Sequence, residues 1–545
     1  MNSVRKAPDE SRSSVNLSIA HLVVSLAVLV IFLANLDSPG LWFSDMPSHA
    51  LNGVFYKDLI EDGAFSHPKA YAERYYVQYP SLTVGIYPPV FYVVEAAFFK
   101  LFGISPQTAK LTVLFFTLIC ANTLLALYRQ WFALWLAVAA VFLFLLQPTT
   151  LFGQRNVMLE MPFIAISSVA AYCLYIGSIK GKSWALFSAP FFCALAFLTR
   201  QSAVFLLPFG VIWMLWGMRW RVFSSVPLLL GTAAGIIVLA PWVIINMTAG
   251  RGHLGVLDFS LEHVWPNALF YLTHLLDIVS TPVLLLIISA VMLCFRLRKW
   301  ESYRFALLWI GCVLLFLLPL RLSEARYAFA FMPAVVILAV TPLQYFSRKV
   351  WTARKSERVA AAVLFPIVFL HLFTQPVWAG PSISGFHRAA GFVVKDNDCV
   401  SVLYDGRYNG NFIFHTRMAD PQRRLFVFRA SKVIYATNFL VSLGYEELIK
   451  TRSAFHDLLK KYSIKYIVQE ETDLLRTPAN RKLREWVRGE DFELVKSFPV
   501  SAHFVRGFGR LLVYKYRDYS SEPIEEVVLH MPTLGREIRV KIQKN

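Results

Sequence analysis

The chain has 545 residues, of which 56% are hydrophobic, 15% aromatic and only 16% charged, a balance that excludes an ordinary soluble enzyme of this length and points to a polytopic membrane protein. Its formal net charge of +19 is accounted for by cytoplasmic loops and lipid headgroups, so nucleic acid is not expected as a partner. Five of the six cysteines (Cys120, Cys173, Cys193, Cys294, Cys312) fall in apolar stretches and only Cys399 lies in the tail, which leaves neither a disulfide framework nor a cysteine metal site.

Residues 1–16 are polar, with Arg5, Lys6 and Arg12, and precede an apolar run over 17–36. A run of about 20 residues is long enough to span a bilayer. Asp37-Ser38-Pro39-Gly40 follows it in place of a small-residue cleavage site, so the run reads as an uncleaved signal anchor in the cell (inner) membrane, with a cytoplasmic N-terminus. The interval 37–89 is the first long polar stretch, and it carries Asp45, His49 and several tyrosines, Tyr79 and Tyr87 among them. A linker has no need of such groups at a hydrocarbon boundary, so this outer loop is the expected seat of chemistry.

Apolar stretches follow near 90–102, 107–128, 132–148, 157–177, 184–199, 201–217, 226–246, 278–295, 303–320, 326–345 and 359–378. If all of them cross, the basic connections at Lys180/Lys182, Arg219/Arg221, Arg296/Arg298/Lys299 and Arg348/Lys349/Arg354/Lys355/Arg358 fall outside, against the positive-inside bias. The 90–102 stretch is the shortest, opens after Pro88-Pro89 and closes at Gly103; if it does not cross, every one of these loops becomes cytoplasmic. The expected architecture is therefore an α-helical polytopic membrane protein over 17–379, with about 11 crossings plus a short re-entrant or interfacial helix. On that assignment Arg155, Glu160, Arg200, the 247–277 loop and the 321–327 turn share the outer face with Asp45. Ionisable groups gathered at one membrane face mark a polar cavity or substrate path, whereas any single arginine there can instead reach the headgroups.

From about residue 380 the composition changes. Strand-like runs at 399–404, 425–428, 464–470, 492–499 and 511–516 alternate with helical patterns at 453–462 and 479–488, which predicts a small extracytoplasmic α/β domain over 380–545. Residues 520–545 are expected to pack loosely.

Some familiar patterns fail their context. Gly250-Arg251-Gly252-His253-Leu254-Gly255 fits a dinucleotide fingerprint but follows a membrane span and opens no βαβ unit. Asp396-Asn397-Asp398 has the spacing of a metal-nucleotide motif but precedes a strand, where Asp and Asn make turns. Asp45 and His49 share a face if helical; two ligands do not make a metal site, and a third would have to come from His67, Glu73, His253 or His263. No cofactor is implied, a divalent metal being the alternative. Asp45 also suits a helix N-cap. Glu160 stands at the mouth of an apolar helix, where a carboxylate needs a cation such as Arg155 to stay ionised.

Asp45, Tyr79-Pro80-Ser81-Leu82, Gly85-Ile86-Tyr87-Pro88-Pro89, the block from Arg155 to Pro162, Leu198-Thr199-Arg200 and Arg326-Tyr327 before Pro333 together resemble the GT-C integral-membrane glycosyltransferases. Within that class they resemble the bacterial branch of protein O-mannosyltransferase-like enzymes and the lipid A aminoarabinose transferase. The resemblance implies a sugar donor on a polyprenyl phosphate, a membrane-lipid environment and an extracytoplasmic acceptor. It further implies that Asp45 is the base or acceptor-orienting acid and Glu160 the second catalytic acid, with Arg200 and Arg326 facing the lipid phosphate. His49, Tyr79, Tyr87, Arg155 and Tyr327 are the remaining substrate-binding candidates. One departure is plain: Ile86-Tyr87 stands where the aminoarabinose transferase has Glu-Lys. The competing readings are a lipid or polysaccharide transporter, for which no internal symmetry is visible, and a non-catalytic assembly subunit.

Overall fold

The computed structural model describes residues 10–36, 40–42, 45–249, 258–321, 323–351, 353–374, 382–437, 445–471, 477–503, 509–531 and 536–542; the Gly250–Gly255 motif lies outside them. The chain forms two compact units, one of Met1–Asp37, Tyr87–Phe91 and Leu111–Ala379, the other of Ser38–Ile86, Tyr92–Lys110 and Gly380–Asn545. The second unit thus joins the outer loop to the tail, where a linear division gives the loop to the membrane part.

The first unit is helical, as its apolar runs require. Six helices among the described residues are long and apolar enough to cross a membrane: Val15–Leu33, Pro106–Tyr128, Glu160–Lys180, Gln201–Ser224, Val226–Ile245 and Ala325–Val350. A seventh is gained if Leu134–Leu145 and Pro148–Arg155, bent by 72°, count as one span. Several other predicted runs of this multi-pass arrangement fold as shorter apolar helices, Ser183–Phe197, Thr281–Met292 and Arg358–Leu370, each below the length of a straight span. The 90–102 stretch is the helix Val90–Phe102.

Close packing in this unit depends on small residues. Gly181 adopts a left-handed conformation (φ 65°) and ends the Glu160–Lys180 helix, its N–H donating to the Gly177 carbonyl as a glycine C-terminus does. That turn folds the Ser183–Phe197 helix back onto it. Gly231 and Gly235, one turn apart on the Val226–Ala249 helix, then let it lie on Ser183–Phe197 so closely that a Cβ on Gly231 would collide with the Phe187 carbonyl. This is the small-xxx-small contact by which helices associate in lipid.

The second unit is built on a five-stranded sheet in the order Phe426–Arg429, Ser401–Asp405, Ile464–Glu470, Arg510–Tyr516, Phe492–Pro499. The first three strands are parallel and the last two antiparallel. The middle residues of the parallel strands, Val427 and Phe428, Val402 to Tyr404, and Tyr466 to Val468, are apolar and buried, as in sheets covered on both faces. Asn409–Ala419 and Phe386–Lys395 contribute to one core layer and Arg452–Lys461 and Pro478–Val487 to the other. Among the described residues of the 520–545 end, the packing is not loose. Glu526–Met531 and Arg536–Lys541 form an antiparallel hairpin, with Val527, Leu529 and Ile538 buried. Asp396 makes the expected turn, accepting from the Asp398 N–H at 3.1 Å, and pairs with Lys465 at 2.7 Å.

Two acids end neighbouring parallel strands, Glu470 bonded to the turn after Asp405 and Asp405 to the helix Pro478–Val487. Glu470 accepts from the Tyr404 hydroxyl and the Tyr408 N–H, both at 2.6 Å, and from the Arg407 N–H at 2.8 Å. Asp405 accepts from Asn480 at 2.7 Å. Burial pushes Glu470 up to about 7, against the lowering effect of its three donors, and Asp405 up to about 6. A raised folded-state value means that the folded form holds a proton the unfolded form has lost, so stability falls as pH rises through that interval. The tail is therefore expected to lose on the order of 3 kcal/mol between pH 4.5 and 8. Hydrogen exchange of peptides from 401–487 in the full-length protein should show this slope, and Glu470→Gln should flatten it; equal protection at both pH values would contradict it.

Candidate active site

Breaks between apolar helices bring four of the expected residues together in the first unit. Glu160 is the first residue of its helix and is 3% exposed. Arg200 sits in extended backbone between Ser183–Phe197 and the 3-10 turn Gln201–Phe205, and its Nη1 lies 3.1 Å from Glu160 Oε1. Arg326 opens from the 3-10 turn Ala325–Phe331, with Nε 4.0 Å from the same oxygen. Glu324, which the sequence reading passed over, pairs with Arg326 directly. The Tyr327 ring serves both cations, with Arg200 5.1 Å and Arg326 5.6 Å from its centroid. Arg326 Nη1 also approaches Met158 Sδ at 3.7 Å.

Arg155 ends the Pro148–Arg155 helix and is half-buried. Gly153 in that helix allows a close approach, since a Cβ there would stand 3.4 Å from the Phe329 ring and 3.7 Å from Glu160 Cβ. Tyr87 lies in the turn before Val90–Phe102, where the Val90 N–H donates to the Leu198 carbonyl at 3.0 Å, two residues before Arg200. Two acids and two guanidinium groups thus lie beside one aromatic face, each within reach of an opposite charge. Each arginine presents its donors in the planar fork that fits phosphate oxygens.

The second unit holds the remaining candidates. Asp45 is the first residue of the helix Asp45–Glu61, and His49, one turn on, is 3% exposed. His49 Nδ1 is 2.7 Å from the Tyr92 hydroxyl and the two rings stack. Nothing in the sequence signals this partner, 43 residues away. Tyr79 is fully buried beside Tyr75, and its hydroxyl makes no hydrogen bond to a described residue. It belongs to the apolar core of this unit, because the helix Pro68–Gln78 ends there and turns its last residues inward. No three His, Cys, Asp or Glu side chains among the described residues are grouped as a metal site requires; His253 lies outside them.

The loop is tied to the tail by a buried ion pair that was also missed. Arg417, 3% exposed, meets Asp58, 2% exposed, through Nη2 at 2.7 and 2.8 Å and through Nε at 3.1 Å, and Tyr75 donates to the same carboxylate at 2.9 Å. Gln78 and Arg429 add bonds to the Leu425 and Pro80 carbonyls.

Residues 87–245, which include Glu160 and Arg200, match the family model described as dolichyl-phosphate-mannose-protein mannosyltransferase. ArnT from Cupriavidus metallidurans, bound to undecaprenyl phosphate, superposes with a TM-score of 0.57 at 13% identity, over 90% of this chain and 97% of that one. Its apo state gives 0.56 at 14% identity, over 91% and 98%. The fold is that of the GT-C glycosyltransferases. A third GT-C structure, the oligosaccharyltransferase from Archaeoglobus fulgidus in the apo form, gives 0.50 at 12% identity, over 83% of this chain and 70% of that one. No curated protein matches the chain by sequence. Within the GT-C fold of this chain, the acid-arginine cluster lies partly inside the family match, while Asp45, Arg326 and Tyr327 lie outside it.

Proposed function

We propose that the chain is a membrane glycosyltransferase that moves a sugar from a polyprenyl-phosphate donor to an extracytoplasmic acceptor, a cell-envelope glycan, lipid or protein. The observation that carries this is the cluster of Glu160, Arg200, Arg326 and Tyr327 at helix breaks. Support for the donor class comes from the solved GT-C structure bound to undecaprenyl phosphate. The charge distribution of the loops supports an inner-membrane protein with a cytoplasmic N-terminus and an extracytoplasmic tail.

The chemistry asks little of the protein. The bond between the anomeric carbon and the phosphate oxygen breaks, the acceptor oxygen bonds to that carbon, and the hydroxyl proton goes to a base. Arg200 and Arg326 neutralise the departing lipid phosphate, where their forks pair with its oxygens. Glu160 holds Arg200 in position, and Arg155 and Tyr87 flank the same helix breaks. Asp45 takes the acceptor proton and His49 stands beside it. Direct displacement with one base inverts the anomeric centre, so retained configuration would remove this mechanism.

A transporter reading places charges along a midplane path, whereas here the acids and guanidinium groups pair at helix ends. In membranes supplied with a radiolabelled lipid-phosphate sugar, Asp45→Asn is expected to lower transfer at least about 100-fold. Transfer at the wild-type rate would refute the role assigned to Asp45.

A further inference from the structure

One helix outside the recognised motifs reaches the arginine cluster. Along Leu261–Thr273, His263, Asn267 and Tyr271 recur every four residues and so share a face. His263 Nε2 lies 2.8 Å from the Leu320 carbonyl. Asn267 donates to the Leu318 and Leu320 carbonyls at 2.7 and 2.6 Å and accepts from the Ser323 hydroxyl. Asp258, ahead of the helix, donates its N–H to the Pro319 carbonyl at 2.7 Å. Two turns of this face therefore grip Leu318, Leu320 and Ser323, just ahead of Glu324, Arg326 and Tyr327.

The third turn presents Tyr271. It is 6% exposed; the Glu324 backbone N–H faces its hydroxyl oxygen, while the hydroxyl proton is donated to no described residue. Glu324, Tyr327 and Arg200 all lie near enough to bear on its ionisation, and burial pushes the phenol up, so it remains a proton donor. A buried hydroxyl costs free energy unless it finds a partner. An anion held between Arg200 and Arg326 would supply the acceptor that the protein does not.

We infer that Tyr271 is a third donor to the phosphate group of the lipid carrier, and that the His263/Asn267/Tyr271 face fixes the turn bearing Arg326 against that phosphate. This rests on the proposed function for the identity of the carrier, and on the geometry alone for the phosphate. The phosphate chemistry is shared by a lipid headgroup and a free anion, and the assignment here is to the lipid.

Binding of undecaprenyl phosphate to the full-length protein in nanodiscs tests it, with undecaprenol as the phosphate-free lipid and inorganic phosphate as the free anion. Tyr271→Phe removes one hydroxyl without changing shape. It should bind undecaprenyl phosphate about 10- to 100-fold more weakly than wild type, bind undecaprenol equally, and melt at the same temperature. Unchanged affinity for undecaprenyl phosphate would overturn the inference, as would an equal loss for undecaprenol. Displacement of the lipid by millimolar inorganic phosphate would reassign the site to a soluble anion. Tyr271-dependent binding without sugar transfer by wild type would sink the glycosyltransferase reading and leave the phosphate site standing.

Discussion

Arg200→Gln is expected to lower kcat/KM for sugar transfer by about 100- to 1,000-fold, the range found when one donor to a developing negative charge is removed. The same substitution leaves Glu160 without its 3.1 Å partner at a position 3% exposed. Stranding a buried carboxylate in this way costs about 3–5 kcal/mol. Arg326, 4.0 Å from the same oxygen, offsets part of that loss. Activity and stability therefore fall together in the single variant, and the two causes need separating. The double variant Glu160→Gln/Arg200→Gln removes both charges, so its melting temperature should recover towards wild type while transfer stays low. A double variant that regained activity would mean that Arg200 matters only as a counter-charge to Glu160.

The second large effect lies in the other unit. Arg417→Ala is expected to destabilise it by about 3–5 kcal/mol, because the buried Asp58 carboxylate would lose its bidentate partner and keep only the Tyr75 hydroxyl and the Lys57 ammonium 3.5 Å away. The pair closes a span of 359 residues, so its loss should loosen the Asp45–Glu61 helix together with the tail. Hydrogen exchange in peptides from 45–61 should rise along with that in peptides from 409–420. The double variant Asp58→Leu/Arg417→Met, which replaces both charges by apolar groups, should recover much of the loss. If the loop kept its protection in Arg417→Ala, the tail would not be what holds it. The neighbouring pair Arg423–Asp62, 31% exposed on each side, is expected to contribute little because water screens it.

The helical membrane part was legible because hydrocarbon imposes a length and a composition on each run, and polar residues stand out where runs break. Glu160, Arg200 and Arg326 stood out for that reason, and the structure brings all three together. The Ile464–Glu470 and Phe492–Pro499 strands fall where their β-rich runs end, because turn residues bound them. Partners far apart in the chain left no such trace. Nothing local to Asp58 announces Arg417, and nothing near His49 announces Tyr92. A tyrosine beside a proline at a membrane boundary looks accessible from its sequence, whereas the packing of loop and tail buries Tyr79. An apolar run can satisfy hydropathy and still fold as a short helix or a bent pair, as Ser183–Phe197 and the pair Leu134–Leu145 and Pro148–Arg155 do.

The lipid-linked sugar pool of cells with and without this protein tests the central claim most directly. The account predicts that one polyprenyl-phosphate sugar accumulates when the protein is absent, that wild type restores its turnover, and that Asp45→Asn does not. A pool that is unchanged by loss of the protein would contradict it.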